Sequence, residues 1–142
     1  MRAEQAKILL RGGQPLTDLT IKGLLSVNCE EFIHPVVLNR LRLEAQFRGS
    51  FFKAGFKASC CVFSNSVSFA EGGHNHNGPF VLEGCTFEGF VDFWDCLFTG
   101  PVEIVGCTFA AGTNLLGHEW ADGQFEVEPQ IRGNHGRLDL FP

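Results

Sequence analysis

Residues 80–115 read FVLEGCTFEGFVDFWDCLFTGPVEIVGCTFAAGTNL, and their spacing determines the architecture. The stretch divides into triplets of a small, a variable and a large residue, separated by short turns. The large residues are Leu82, Phe87, Phe93, Phe98, Ile104, Phe109 and Leu115, at steps that alternate between five and six. The sequence therefore has an 11-residue repeat that contains two short extended segments.

Within each triplet, the first and third side chains point to one side of the chain and the middle one to the other. The first and third positions are almost always apolar, which predicts that they face a core. We expect the middle residues Thr86, Asp92, Glu103, Thr108 and Asn114 to face water, with Leu97 as the exception. The predicted core consists of Phe63, Phe69, Leu82, Cys85, Phe87, Val91, Phe93, Cys96, Phe98, Val102, Ile104, Cys107, Phe109 and Leu115.

Strands of three residues are not stable alone, so each must pair with the equivalent strand one coil above and one below. A β-solenoid meets this requirement, whereas two apolar positions in every five or six residues do not fit the 3.6-residue period of a helix. Glycine and aspartate in the turns suit the tight corners of such a coil. The left-handed β-helix of the hexapeptide acyltransferases is disfavoured, because it needs a strict period of six.

The segment 87–98, FEGFVDFWDCLF, resembles the pentapeptide-repeat proteins whose motif is F-x-G-x-(A/V)-D-F-x-x-(A/C)-x-F. The resemblance is specific over residues 61–115 and looser over 19–60. It implies an all-β fold, a right-handed quadrilateral β-helix in which two 11-residue units make one coil. Some members of that family mimic DNA and bind type II topoisomerases.

The chain is predicted to form a single domain over residues 1–142. Residues 1–18 form an N-terminal cap, with a short helix over Ala3–Arg11 that stops at Gly12-Gly13. Residues 19–115 form the β-helix, and 116–142 form an irregular C-terminal cap or a dimerisation segment. That segment contains Trp120 and a strand-like alternation over Gln124–Glu128.

Upstream of residue 80 the repeat is weaker. One 11-residue step back from Phe63 and Phe69 leads to Phe52 and Ala58, and a second step leads to Leu41 and Phe47. We expect these residues to face inward. The interval from Phe69 to Leu82 is longer than one repeat, and positions 70–79 contain no triplet. We therefore expect a loop over 70–79 that bulges from one corner.

The net charge of −5 is unevenly distributed, because the segment 58–131 contains ten Asp or Glu and no Lys or Arg. This part of the chain would face water or a basic protein, and it would repel phosphates, so direct nucleic acid binding is not expected. The candidate partner surface consists of the repeat-region acids Glu83, Glu88, Asp92, Asp95 and Glu103.

Six cysteines stand at positions 29, 60, 61, 85, 96 and 107, and the spacing of 11 between the last three is that of the repeat. Free cysteine buries well as a small apolar residue, so most of these are predicted to be reduced core residues. Cys60 and Cys61 are adjacent, which places one inside and one outside. No apolar run approaches the roughly 20 residues of a membrane span, so we expect no membrane contact and a cytoplasmic protein.

His74 and His76 form an H-x-H pair, the weak candidate for a metal site. Two ligands do not close a zinc site, so a solvated loop is the favoured interpretation. We find no catalytic motif and predict no catalytic residue, no metal and no cofactor.

These patterns favour a non-catalytic scaffold that binds a protein of unknown identity, with a homodimer through the C-terminal segment as one arrangement. One alternative is a DNA-mimicking modulator of a type II topoisomerase. Four coils at about 4.8 Å would make a rod of about 20 Å, which is short beside a DNA turn of about 34 Å. A second alternative is a metal- or thiol-dependent enzyme that uses the 70–79 loop.

Overall fold

A computed structural model of the chain describes residues 1–117 and 121–141. It is a parallel β-solenoid of about four turns, as the repeat predicts, and a short N-terminal helix precedes it. The helices are α1 (Ala3–Arg11) and α2 (Ala121–Gln124). The strands are β1 (Leu16–Ser26), β2 (Glu31–Phe32), β3 (Val36–Gln46), β4 (Phe51–Phe52), β5 (Phe56–Ser59), β6 (Val62–Phe63), β7 (Val67–Ser68), β8 (Phe80–Glu83), β9 (Thr86–Phe87), β10 (Val91–Asp92), β11 (Val102–Val105), β12 (Thr108–Phe109) and β13 (Gln130–Arg132).

Each coil passes through four walls. The first wall contains the beginnings of β1 and β3, followed by β5, β8, β11 and β13. The second continues β1 and β3 round a corner and adds β6, β9 and β12. The third contains the ends of β1 and β3 with β7 and β10, and the fourth contains β2 and β4.

The coils differ in length, as the aligned residues Val36, Phe56, Phe80 and Val102 of the first wall show. The interval from Val36 to Phe56 is the shortest of the three, and that from Phe56 to Phe80 is the longest. The interval from Phe80 to Val102 is two 11-residue units, as predicted. The short coil shifts the alignment, so that Leu43, and not Leu41, lies beside Phe63.

Stacked phenylalanine rings fill the core, and all fourteen residues predicted to face inward are buried. Phe69 lies between Phe47 and Phe93, with ring centroids 5.2 and 5.3 Å away and nearly parallel planes. Such distances are typical of favourable aromatic pairs. Because a phenyl ring needs no hydrogen-bond partner, the same residue type can recur from coil to coil in a dry interior.

The expectation that residues 70–79 bulge as a loop is wrong, because this segment forms the fourth wall of its coil. Gly73 bridges both Phe51 and Leu97 as a parallel strand residue. Asn75 is fully buried, and its side-chain amide donates to the Pro101 carbonyl at 2.8 Å and accepts from the Gly100 N–H at 3.1 Å. The triplet pattern is not recognisable here, because Gly73 and the hydrogen-bonded Asn75 stand where other coils have apolar residues.

Helix α1 covers the N-terminal end of the core, as predicted. Its buried residues Ala3, Ala6 and Leu10 follow the helical period, and the helix ends before Gly12-Gly13. Arg11 Nε donates to Glu30 Oε2 at 3.2 Å, which ties the helix to the first coil. The solenoid begins at Leu16, slightly earlier than the expected boundary at residue 19.

Beyond α2 the chain adds a further, incomplete coil. Phe125 bridges Phe98, β13 pairs with β11, and His135 bridges Thr108. The Thr113 N–H then donates to the Arg137 carbonyl at 2.8 Å on the third wall. The C-terminal cap therefore continues the walls of the solenoid in the described part, while Trp120 lies outside the described residues.

Candidate interaction surfaces

The five acids predicted to form a partner surface lie on different sides of the solenoid. Glu83 and Glu103 are on the first wall, Glu88 follows the second wall, Asp92 is on the third, and Asp95 is at the corner between the third and fourth. They do not form one ladder. The predicted set therefore does not define one continuous surface.

Three of these acids have cationic partners within the chain. Glu83 lies 3.5 Å from Lys57 Nζ, Glu88 lies 3.9 Å from Arg42, and Glu103 lies 3.8 Å from Arg132. Ion pairs at such exposed positions stabilise the fold by at most about 1 kcal/mol, but they cancel the local charge. The uneven charge of the sequence is therefore partly compensated between coils.

Asp92 and Asp95 have no ion pair among the described residues. Asp92 Oδ1 accepts from the Trp94 N–H and from Asn114 Nδ2, both at 2.8 Å. Asp95 is exposed and has a left-handed backbone with a φ of 57°. Both carboxylates flank Trp94 in one tight turn.

Asn114 was expected to face water, and that expectation is wrong, because its side chain is fully buried. Its Oδ1 accepts the Phe93 N–H at 2.7 Å, while its Nδ2 donates to Asp92. The middle position of a triplet can thus be buried when its side chain bonds to the neighbouring coil.

Trp94 and Leu116 form an exposed apolar pair at the corner that follows the third wall. Val91 bridges Thr113, so these two residues hold equivalent positions in successive coils. They are 39% and 42% exposed. Neither belongs to the predicted set, because both lie in turns outside the triplets. A tryptophan in a repeat turn, where no core position is expected, could nevertheless have indicated an exposed apolar site.

The two histidines of the weak metal candidate have different surroundings. The His74 ring packs 4.0 Å from the Phe51 ring, measured between centroids, while His76 is exposed. Within residues 1–117 and 121–141, no three His, Cys, Asp or Glu side chains are grouped to hold a metal ion.

The cysteines divide into two exposed and four buried thiols. Cys60 is exposed and Cys61 buried, as the adjacent pair predicts, and Cys29 is also exposed. Cys85 lies between Cys61 and Cys107 in successive coils of the second wall, and hydrogen bonds with these thiols, together with burial, raise its pKa.

Cys96 lies on the fourth wall, where its Sγ is 3.0 Å from the Phe69 carbonyl oxygen. Burial raises the pKa of Cys96 to about 12. Such thiols remain protonated and pack as apolar residues.

A shallow depression beside Cys60 is lined by Asp18, Arg40 and Arg42. Arg40 Nη2 donates to Asp18 Oδ2 at 2.7 Å, and this hydrogen-bonded pair lowers the pKa of Asp18. Asp18 and Arg40 thus compensate each other, and Arg42 lies 3.9 Å from Glu88, outside the depression.

Comparison with protein-family models, curated proteins and solved structures found no match for this chain. Among the described residues, no helix is long and apolar enough to cross a membrane.

Proposed function

We propose that this chain is a non-catalytic scaffold of the pentapeptide-repeat type that binds other proteins, including a second copy of itself. Its coil of two 11-residue units, with stacked Phe63, Phe87 and Phe109 rings, supports the repeat assignment. The cysteines and the described histidines, which are the residues that could react or bind a metal, are buried, stacked on a ring or exposed to solvent. This favours binding over catalysis.

The open C-terminal end of the solenoid is the observation that carries this proposal. Among the described residues, β13 pairs with β11 and with no strand on its other side. An unpaired strand edge is a template for association with another chain. Val127 is 44% exposed at this end, and Ile131 and Leu138 are only partly buried. The N-terminal end, by contrast, is covered by α1.

The cations of this last coil pair within the chain, Arg132 with Glu103 and Arg137 with Asp139. Two identical ends that meet across a two-fold axis therefore bring together mainly the same strand edge and the same partly exposed apolar side chains. We propose a homodimer in which the C-terminal coils face each other.

Light scattering coupled to gel filtration over a range of concentrations tests the dimer. We expect wild type to have the mass of two chains, and Val127→Lys to have the mass of one. Ile33→Lys is the matched control, because Ile33 is equally apolar, 68% exposed and far along the sequence near the other end. A wild-type monomer at every concentration would contradict the dimer.

Binding of other proteins is tested by capture from a lysate of the source organism at low and at physiological salt, with mass spectrometry as readout. A basic protein that is lost as the salt rises is the expected result. An empty capture together with a monomeric chain would contradict the scaffold function.

The two alternative functions have no specific structural support. The acids of the repeat lie on several walls, and three have their own cations, which does not favour a DNA mimic. The 70–79 segment is part of a wall, which does not favour an enzyme built on a mobile loop there.

A further inference from the structure

One corner of the solenoid combines exposed apolar side chains with acidic ones, of which Asp95 is exposed and Asp92 is half-buried. We call the set of Asp92, Trp94, Asp95 and Leu116 the Trp94 corner. Trp94 and Leu116 provide an exposed apolar surface over two successive coils. Exposed apolar clusters with polar borders commonly mark sites of protein interaction.

The framework beneath the Trp94 corner is rigid. Asp92 is fixed by two hydrogen bonds, from the Trp94 N–H and from the buried Asn114 amide. Phe93, between Asp92 and Trp94, is fully buried and stacks on Phe69. A partner that binds here would lose little free energy in ordering the surface.

The charge at the Trp94 corner is unbalanced. Asp92 and Asp95 have no ion pair among the described residues, and the nearby cations are engaged elsewhere. Arg48, at the equivalent corner of an earlier coil, lies 3.1 Å from Glu71, and Arg137 lies 3.0 Å from Asp139. The missing complement is therefore a positive charge from another molecule.

From this combination we infer that the Trp94 corner is a docking surface for a basic, partly apolar peptide segment of a partner protein. An arginine side chain stacks on the Trp94 indole and pairs with Asp95, while a neighbouring apolar side chain packs on Leu116. This inference rests on the proposed scaffold function and specifies the chemistry of its partner.

Arginine fits this surface better than lysine does. Its planar guanidinium stacks on an aromatic face and at the same time forms two parallel hydrogen bonds to a carboxylate. A phosphate-bearing partner is disfavoured, because the negative charges of Asp92 and Asp95 would repel it.

A second copy of this chain has few cations to offer. Nine of its eleven Lys and Arg side chains are in internal ion pairs, and within the described residues only Arg2 and Lys22 are not. The charge complementarity therefore points to a different protein.

The test uses a fluorescein-labelled peptide of alternating Arg and Leu with blocked ends, titrated with the full chain and read by fluorescence anisotropy. A Glu-Leu peptide of the same length is the ligand control. We expect saturable binding of the Arg peptide alone. Trp94→Ala should weaken it about tenfold, the size expected for loss of a cation–π contact.

Asp95→Asn should weaken binding by several fold, while Glu83→Gln should leave it unchanged. These variants are matched, because each removes one negative charge, but Glu83 already pairs with Lys57. Asparagine also tolerates the left-handed backbone of position 95. Circular dichroism and an unchanged urea midpoint verify that each variant is folded.

Equal binding by wild type, Trp94→Ala and Asp95→Asn would overturn the inference, as would failure of the Arg peptide to bind wild type. A drop in oligomeric mass on Trp94→Ala would also overturn it, since the corner would then be a self-interface. The scaffold proposal is judged separately, by the Val127→Lys mass measurement and the lysate capture, so the two can fail independently.

Discussion

The Asn114 side-chain amide donates a hydrogen bond of 2.8 Å to Asp92 Oδ1 and so joins the third wall of two successive coils. The same side chain accepts the Phe93 N–H at 2.7 Å. A buried side-chain oxygen therefore accepts the backbone N–H of Phe93, whereas the equivalent N–H of Phe69 donates to a backbone carbonyl of the next coil, that of Asp92.

Asn114→Ala should lower the free energy of unfolding by about 1–3 kcal/mol, because it leaves the Phe93 N–H buried without a partner. Urea unfolding followed by circular dichroism measures the change. Thr86→Ala is the control at a half-buried middle position, and we expect its free energy of unfolding to stay close to that of wild type. Equal effects of the two substitutions would show that the Asn114 bonds do not stabilise the wall.

Phe93→Ala should destabilise the chain by about 3–5 kcal/mol, because it removes a large buried ring and leaves a cavity between stacked neighbours. The Phe93 ring is fully buried, whereas Ile33 is exposed, so Ile33→Ala should cost far less. The same urea experiment compares both, and a neutral Phe93→Ala would contradict the inward orientation of the repeat.

The core could be predicted from the sequence where each coil repeats the same spacing and the same residue type. The inward residues of 80–115 follow the alternation of five and six, so Phe87 and Phe109 could be aligned without a structure. Steps of 11 residues align Leu41 with Phe63, whereas Leu43 lies beside Phe63 in the structure. The misalignment arises because nothing in the sequence reveals that one coil is shorter than the others. Polar inward residues such as Asn75 escaped detection because hydrogen bonds, and not hydrophobicity, stabilise them there.

The candidate interaction surface was less predictable. Composition alone predicts the set of acids, but whether the negative charge of an acid is compensated depends on cations from other coils, as Glu88 and Arg42 show. Asp92 and Asp95 are distinguished from the other acids only by this three-dimensional pairing. Trp94 and Leu116 are distant in the sequence, and only the alignment of coils brings them to one corner.

Gly73→Ala tests whether residues 70–79 belong to the fourth wall. A Cβ at position 73 would lie 2.5 Å from the Leu97 carbonyl oxygen, and the φ of 102° is unfavourable for alanine. We expect a loss of at least about 1–3 kcal/mol from backbone strain alone. Gly123→Ala, with nothing within 4 Å of the added atom, is the control. A bulging loop would instead tolerate both substitutions.

Glu30 should make the stability depend on pH on the acidic side. Its hydrogen bond with Arg11, opposed by desolvation, lowers the pKa of Glu30 in the folded chain. Its contribution is therefore present above the unfolded pKa of about 4.3 and is lost as the pH falls through the lower folded pKa. We expect the free energy of unfolding of Glu30→Gln to fall less than that of wild type below this pH.

Urea unfolding at several pH values from neutral to strongly acidic measures this difference. Arg11→Gln removes the hydrogen-bond partner of Glu30 and should flatten most of the same pH dependence, since it removes the largest cause of the lowered pKa, while Lys7 remains 3.8 Å away. Parallel curves for wild type and both variants would show that the ion pair between α1 and the first coil does not contribute.

The thiols should react in two classes. In mildly alkaline buffer, iodoacetamide should modify Cys29 and Cys60, which are exposed, and leave the other four cysteines unmodified in the native chain. The nucleophile is the thiolate. Burial raises the pKa of Cys96 to about 12, so hardly any thiolate forms there.

Peptide mass mapping before and after unfolding in urea identifies each site, and all six should react once the chain is unfolded. Cys60→Ser should remove one of the two native modifications without exposing the buried ones. Native modification of Cys85 or Cys107 would mean that the second wall opens on the timescale of the reaction, which a stably stacked core does not allow.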